Sequence, residues 1–108
     1  MHSYIREPLT GKPLAYWDGE YVRNPHGEVL VSIDGNYVRE GAGGRQVLAN
    51  LDGVFIREGV AGGRVIAHID RDLIRTGSIG GNVLFLIDSG VADIEKCALA
   101  VATLALFE

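Results

Sequence analysis

Five arginines stand at the same place in a repeated phrase, Tyr4-Ile5-Arg6, Tyr21-Val22-Arg23, Tyr37-Val38-Arg39, Phe55-Ile56-Arg57 and Leu73-Ile74-Arg75. Guanidinium groups that converge in a ring would bind carboxylate or phosphate through forked hydrogen bonds. The same period brings acids, however: Asp18, Asp34, Asp52, Asp70 and Asp88, with Glu7, Glu40 and Glu58 adjoining the arginines. Each Arg thus has an acid nearby and an apolar Leu or Ile on which to lay its stem, and structural pairing is the stronger expectation. Aromatic faces at Tyr21 and Tyr37, beside Tyr16 and Phe55, would let sugar rings stack on the units. Such a site needs polar groups repeated in fixed positions, and the ring of Tyr16, Ser32, Asn50, His68 and Leu86 is not repeated. The candidate ligand or interaction residues are therefore Arg6, Arg23, Arg39, Arg57, Arg75, Tyr21, Tyr37 and His68.

Catalytic and metal chemistry find less support. His2, His26 and His68 share no spacing and have no Cys or His neighbours to complete a ligand set. A Ser-His-Asp relay can be assembled on paper from Ser32, His68 and an Asp, but a repeat array offers an Asp near everything. His68 reads instead as a half-exposed group opposite Leu73. The Gly-rich segments 41–44, 59–63 and 77–81 join strand to strand, and no Gly-Lys-Ser/Thr follows them, so turn geometry explains them better than phosphate binding. The single cysteine, Cys97, sits among Ala, Leu and Val and reads as a buried small hydrophobe. We expect no enzyme, no cofactor and no metal.

The elements that must carry these residues follow from the repeat. Cut before each phrase, the units are 4–19, 20–35, 36–53, 54–71 and 72–89. In residues 28–40 an apolar-rich run, Asp34-Gly35 and a second β-branched run succeed one another, which is the pattern of a two-residue hairpin. With Asp-Gly as the central pair the turn would be type I′, repeated at Asp18-Gly19 and Asp52-Gly53. Asp70-Arg71 departs from the pattern and predicts a wider turn. On this register Ile33 faces Asn36, Ser32 faces Tyr37, Val31 faces Val38 and Leu30 faces Arg39. One face, Val29, Val31, Ile33 and Val38 with their equivalents, forms the core. The other carries Leu14, Leu30, Leu48, Ile66 and Leu84 beside the arginines and is half-buried at most. Turn chemistry every 8 or 9 residues gives about ten short strands, and closing them into a ring removes the exposed edges. A parallel β-solenoid is the rival, but Gly62-Gly63-Arg64-Val65-Ile66-Ala67 lacks the fourth-position Gly and sixth-position Asp of the calcium-binding nonapeptide.

From Val91 the period becomes helical, through Val91, Ile94, Ala98, Val101 and Ala105, with Asp93 and Glu95 near the positive end of the helix dipole. The helix, about 91–107, is apolar nearly all round and must be covered on most sides. Ile94, Cys97, Val101, Leu104 and Phe107 are its candidate capping or assembly residues. The chain of 108 residues is one domain, 1–108, and its formal charge of −4 gives no field to gather nucleic acid or anionic lipid. The N-terminus lacks the basic and apolar stretches of a secretory signal, and the apolar run 97–107 is too short to cross a bilayer, so a cytoplasmic location is the default.

The consensus Asp-Gly-x-Tyr-Val-Arg-Glu-Gly-x-x-Gly-Gly-Arg-Val-Leu-Ala-x-Ile, followed by an Ala/Leu-rich helix, resembles the small bacterial repeat proteins known as β-flowers, over residues 4–107. The resemblance implies a mainly β, pseudo-symmetric closed array of hairpins, here five of 16 to 18 residues, with a C-terminal α-helix. It implies no established activity. The functional expectation is a non-enzymatic interaction or assembly module, with itself or another protein as partner and without nucleic acid or membrane; the alternative is a small-ligand or glycan-binding module built on the repeated Arg and aromatic positions.

Overall fold

A computed structural model describes residues 2–44, 46–60, 63–77 and 81–106. Ten strands follow the repeat: β1 (Ser3–Arg6), β2 (Pro13–Trp17), β3 (Tyr21–Arg23), β4 (Val29–Asp34), β5 (Tyr37–Glu40), β6 (Val47–Asp52), β7 (Phe55–Glu58), β8 (Val65–Asp70), β9 (Leu73–Thr76) and β10 (Val83–Ile87), before helix α1 (Asp93–Leu106). Neighbours in sequence pair antiparallel, and β1 pairs with β10, so the sheet closes into a barrel. The expected closed array of hairpins with a terminal helix is what the chain forms; the parallel solenoid is excluded by the antiparallel pairing.

The hairpin register differs from expectation by one position along each strand. Asp34 pairs with Tyr37, Ile33 with Val38, Ser32 with Arg39 and Val31 with Glu40. The central turn residues are therefore Gly35 and Asn36. Gly35 has φ +62° while Asn36 stays out of the left-handed region, which is the signature of a type II′ turn, with glycine first. Faces survive this slide because both strands move together, but partners change. Asp34 leaves the turn and stands on the outer face, diagonal to Arg39. The Asp70-Arg71 turn is no wider than the rest: Asp70 pairs with Leu73, and Arg71 takes the glycine position at φ 58°. A side chain there costs about 1–2 kcal/mol. The helix makes use of this turn, since the buried Lys96 ammonium donates to the Arg71 carbonyl and lies 3.5 Å from Asp72 Oδ1.

Each longer connection is followed by a β-bulge near the start of the strand it leads into. Val38 pairs with Ala49 but Arg39 with Val47, which leaves Leu48 as the extra residue. The same irregularity falls at Leu14, Leu30, Ile66 and Leu84. A bulge breaks the alternation of faces and sharpens the twist. Consequently one position of each expected set changes side: Leu14, Leu30, Leu48, Ile66 and Leu84 pack against the core, whereas Val29, Val47, Val65 and Val83 lie outside it, half-buried opposite the arginines, and the rest of the expected core face stays in the core.

One buried residue from every strand, Ile5, Ala15, Val22, Val31, Val38, Ala49, Ile56, Ala67, Ile74 and Phe85, lines the lumen. Every residue from Lys96 to Thr103 is buried too, over more than two helical turns, so no side of that stretch faces water. Strands β1 to β6 and β8 pack on it. The helix thus runs inside the ring, and the alanines on β2, β6 and β8 make room for it. Completely enclosed side chains such as Ile5, Ile56, Ile74 and Leu99 each contribute about 1.5–3 kcal/mol of transfer free energy.

The ring closes on a hairpin that has no covalent turn. Ile5 pairs with Ile87 as Val38 pairs with Ile33, and the Asp88 amide donates to the Tyr4 carbonyl at 3.0 Å while the Tyr4 amide donates to Asp88 Oδ2 at 2.9 Å. Asp88 therefore plays toward Tyr4 and Arg6 the part that Asp18 plays toward Tyr21 and Arg23, across the two ends of the chain.

Because no turn tethers β1 to β10, Asp88→Ala should destabilise more than Asp34→Ala: about 2–3 kcal/mol against 1 kcal/mol or less by urea unfolding, from lost charge-assisted hydrogen bonds. Arg71→Gly should relieve the left-handed strain and raise stability by about 0.5–1 kcal/mol, read in the same assay.

Candidate functional site

The five arginines project from alternate strands onto the outer face of the barrel, so they do not converge. Arg6, Arg23, Arg57 and Arg75 are each held at both ends of the guanidinium. Arg57 Nε donates to Asp52 Oδ2 at 2.8 Å and its Nη1 to the Gly63 carbonyl at 3.0 Å; Arg75 does the same with Asp70 at 2.8 Å and Gly81 at 3.0 Å. Arg23 joins Asp18 to Gly27, and Arg6 joins Asp88, at 3.1 Å, to Gly11, at 3.3 Å. Arg39 Nε donates to Asp34 at 2.9 Å. The clamp ties the tight turn to the loop at the opposite end of the strand. It also explains the second glycine of each Gly-Gly pair: a Cβ on Gly44 or Gly63 would sit 1.8 Å from the carbonyl oxygen of Glu40 or Glu58, and one on Gly81 2.0 Å from that of Thr76. In the Asp18 clamp the Arg23 guanidinium, and after it the Tyr21 amide, hold the carboxyl down to about 2.

Between adjacent arginines lies the variable ring, and here the structure corrects the expectation of half-exposure. Ser32, Asn50 and His68 are buried. The following loop folds over each: Asn50 Nδ2 donates to the Gly59 carbonyl at 2.8 Å, His68 Nδ1 lies 2.9 Å from the Gly77 carbonyl and so carries its proton on that nitrogen, and the Gly43 amide donates to Ser32 Oγ at 3.0 Å. Ser32 and His68 stand on the non-adjacent strands β4 and β8, so the paper relay is not assembled. At the first member, Tyr16, the ring is half-buried under His2, stacked at 4.4 Å, with Tyr4 at 5.8 Å. Arg6 lies over Tyr4 at 5.1 Å and Arg23 over Tyr21 at 5.8 Å; Tyr21 and Tyr37 are half-buried.

Serine is the smallest side chain of the variable ring, and Ser32 lines an open groove of about 610 Å³. Its lining includes Glu20, Tyr21, Ser32, Asp34, Arg39 and Gly43. The groove brings together Tyr21 and Arg39, which the repeat pattern singled out, and adds Glu20, Ser32 and the loop glycines as lining residues, which it did not. The size of residue 32 against its four equivalents was the signal that could have found them. A smaller apolar pocket of about 220 Å³ lies among Tyr4, Pro13, Ala15, Tyr16 and Pro25.

On the helix, Cys97 and Val101 are buried, and Ile94 and Leu104 pack half-buried against the core. Burial pushes the Cys97 thiol up to about 12. Phe107 lies outside the described residues, as do positions 61–62 and 78–80 of the Gly-rich segments. Among the described residues no group of three or more His, Cys, Asp or Glu side chains is placed to hold a metal ion, and no helix is long and apolar enough to cross a membrane.

Asp18 has its carboxyl lowered on folding, so its stabilising contribution is complete above the unfolded value near 3.8 and is lost as pH falls toward about 2. Asp18→Asn should flatten that part of the curve of melting temperature against pH, with the gap between variant and parent closing between pH 4 and 2.

A family model described as "6-fold beta flower protein" matches residues 5–108, in keeping with the resemblance carried by the repeated phrase, although this chain closes its ring with five hairpins. No curated protein and no solved structure matches the chain.

Proposed function

The chain belongs to the 6-fold β-flower family, and from that premise we propose that it is a non-enzymatic interaction module of the cytoplasm, a rigid hairpin ring that offers its long-loop end to a second copy of itself. One observation carries the reading: Leu9, in the loop between β1 and β2, is 94% exposed on a backbone that is already tied down. Glu7 receives the amides of Leu9 at 3.1 Å and Thr10 at 2.8 Å and the Thr10 hydroxyl at 2.6 Å, and the loop is closed by the Glu7 amide on the Lys12 carbonyl at 2.9 Å. These bonds, the Thr10 hydroxyl's first, hold the Glu7 carboxyl below its ordinary range. A large apolar side chain held rigidly in water loses little further freedom on docking. Val60, in the loop between β7 and β8, is 57% exposed at the same end, because every second connection of an up-and-down barrel lies there.

A second reading, small-ligand binding, is favoured by the groove at Ser32. It needs one site and not the five that repetition of the arginines would suggest, since each guanidinium is engaged in its clamp.

Light scattering at about 100 μM, well above a micromolar dissociation constant, should give a mass above that of the 11.6 kDa monomer. The double variant Leu9→Ser, Val60→Ser should return it to the monomer mass with an unchanged melting temperature. A parent that is monomeric at that concentration, or a variant that keeps the larger mass, overturns self-association through this end.

A further inference from the structure

The open groove at Ser32 has a charge pattern that selects the chemistry of its occupant. Among the described residues it is lined by two carboxylates, Glu20 and Asp34, and one guanidinium, Arg39, whose Nε donates to Asp34, while Arg23, paired with Asp18, lies over its Tyr21 wall. An anion entering it meets two like charges; a cation meets Arg39. Neither is favoured when it must shed its water. What the walls do offer is both kinds of hydrogen-bonding group at close quarters. Carboxylate oxygens accept, and Ser32 Oγ, which already accepts the Gly43 amide at 3.0 Å, has its own hydroxyl proton left to donate. Beside them stands an apolar surface, the Tyr21 ring, over which Arg23 lies at 5.8 Å. An occupant that fits is electrically neutral, carries several hydroxyls that both give and take hydrogen bonds, and has an apolar flank for an aromatic ring.

We infer that this groove is a binding site for a neutral saccharide, one or two pyranose units in size, with Tyr21 as the stacking platform and Ser32, Asp34 and Glu20 as the hydroxyl-reading groups. The groove volume of about 610 Å³ is that of a small-molecule site. At this unit the variable ring carries its smallest side chain, serine, where the equivalent places hold Tyr16, Asn50, His68 and Leu86. Preorganisation is built in: the buried Ser32 is oriented by Gly43, and Gly44 cannot shift its backbone away without disturbing its close approach to Glu40. This inference rests on the ligand-binding reading and is independent of docking through Leu9.

The test is a titration of the 15N-labelled full chain, followed by amide shifts, with methyl glycosides of glucose, galactose, mannose and N-acetylglucosamine and with cellobiose and lactose, alongside inorganic phosphate and choline. A neutral sugar should shift the amides of Tyr21, Ile33, Gly43 and Gly44 saturably. Ser32→Leu, which places at this position the residue the chain already tolerates as Leu86, should weaken binding at least tenfold without lowering the melting temperature. If that variant folds poorly, Tyr21→Leu, matching Leu73, serves the same purpose. Shifts at these amides with phosphate or choline but with no sugar overturn the saccharide and leave the ligand-binding reading standing. No shift there with any compound overturns both, and sugar binding undiminished in the variants overturns the site.

Discussion

The ladder between β1 and β10 is the contact on which the rest of this molecule depends. Every other neighbouring pair of strands is joined by a short connection, so its association is a local event with a small loop-closure entropy. The β1 to β10 pairing joins residues eighty or more positions apart, and until it forms the sheet has two edges and the lumen has an open side. The helix cannot be covered all round by an open sheet, and its buried run from Lys96 to Thr103 would meet water. Closure and burial of the helix are therefore one cooperative step. Asp88 supplies at this seam, through Tyr4 and Arg6, the hydrogen bonds that a covalent turn supplies elsewhere.

The arginine clamp is the second constraint, and it accounts for most of what repeats. A single guanidinium spans from the Asp that ends one strand to a glycine carbonyl in the next loop, and the loop comes close enough to need glycine at Gly44, Gly63 and Gly81. Ion pairs this exposed are individually weak, about 0–1 kcal/mol each. Their value is geometric. By holding the loop down over the variable ring they bury Asn50 and His68 against carbonyls and leave no buried polar side-chain atom unpaired among the described residues. The repeated residues build the scaffold, and what differs between repeats is left to distinguish one outer groove from another.

Symmetry is broken at two places, and each has a physical counterpart elsewhere. Arg71 takes a glycine's conformation in the fourth turn, and Lys96 of the helix docks on the carbonyl of that residue, so the irregular turn is also where the helix is fastened to the ring. Ser32 is the smallest residue of the variable ring, and it lines a groove with Tyr21 and Arg39. A repeat fold with identical units would present five equivalent surfaces; these two substitutions give the ring a direction and a particular side.

The hairpins, their number, the terminal helix and the inward line through Val22, Val38, Ile56 and Ile74 were legible in the sequence, because side-chain alternation and turn residues are local properties that each unit states anew. The acids near each arginine were legible for the same reason. What the tertiary structure decided begins with the register: whether Asp34-Gly35 or Gly35-Asn36 is the central pair depends on how the glycine's φ matches the twist of paired strands, and Asp-Gly satisfies the local rule for either. The bulges that send Leu48 to the core and Val47 to the arginine side are imposed by bending the sheet into a closed ring, a requirement that no single unit contains. Burial of His68 and Asn50 likewise comes from loops folded across by the arginines. The position of the helix, inside the ring, follows only when ten strands and a hydrophobic cylinder share one volume. Periodicity tells which residues avoid water, whereas closure tells what they meet when they do.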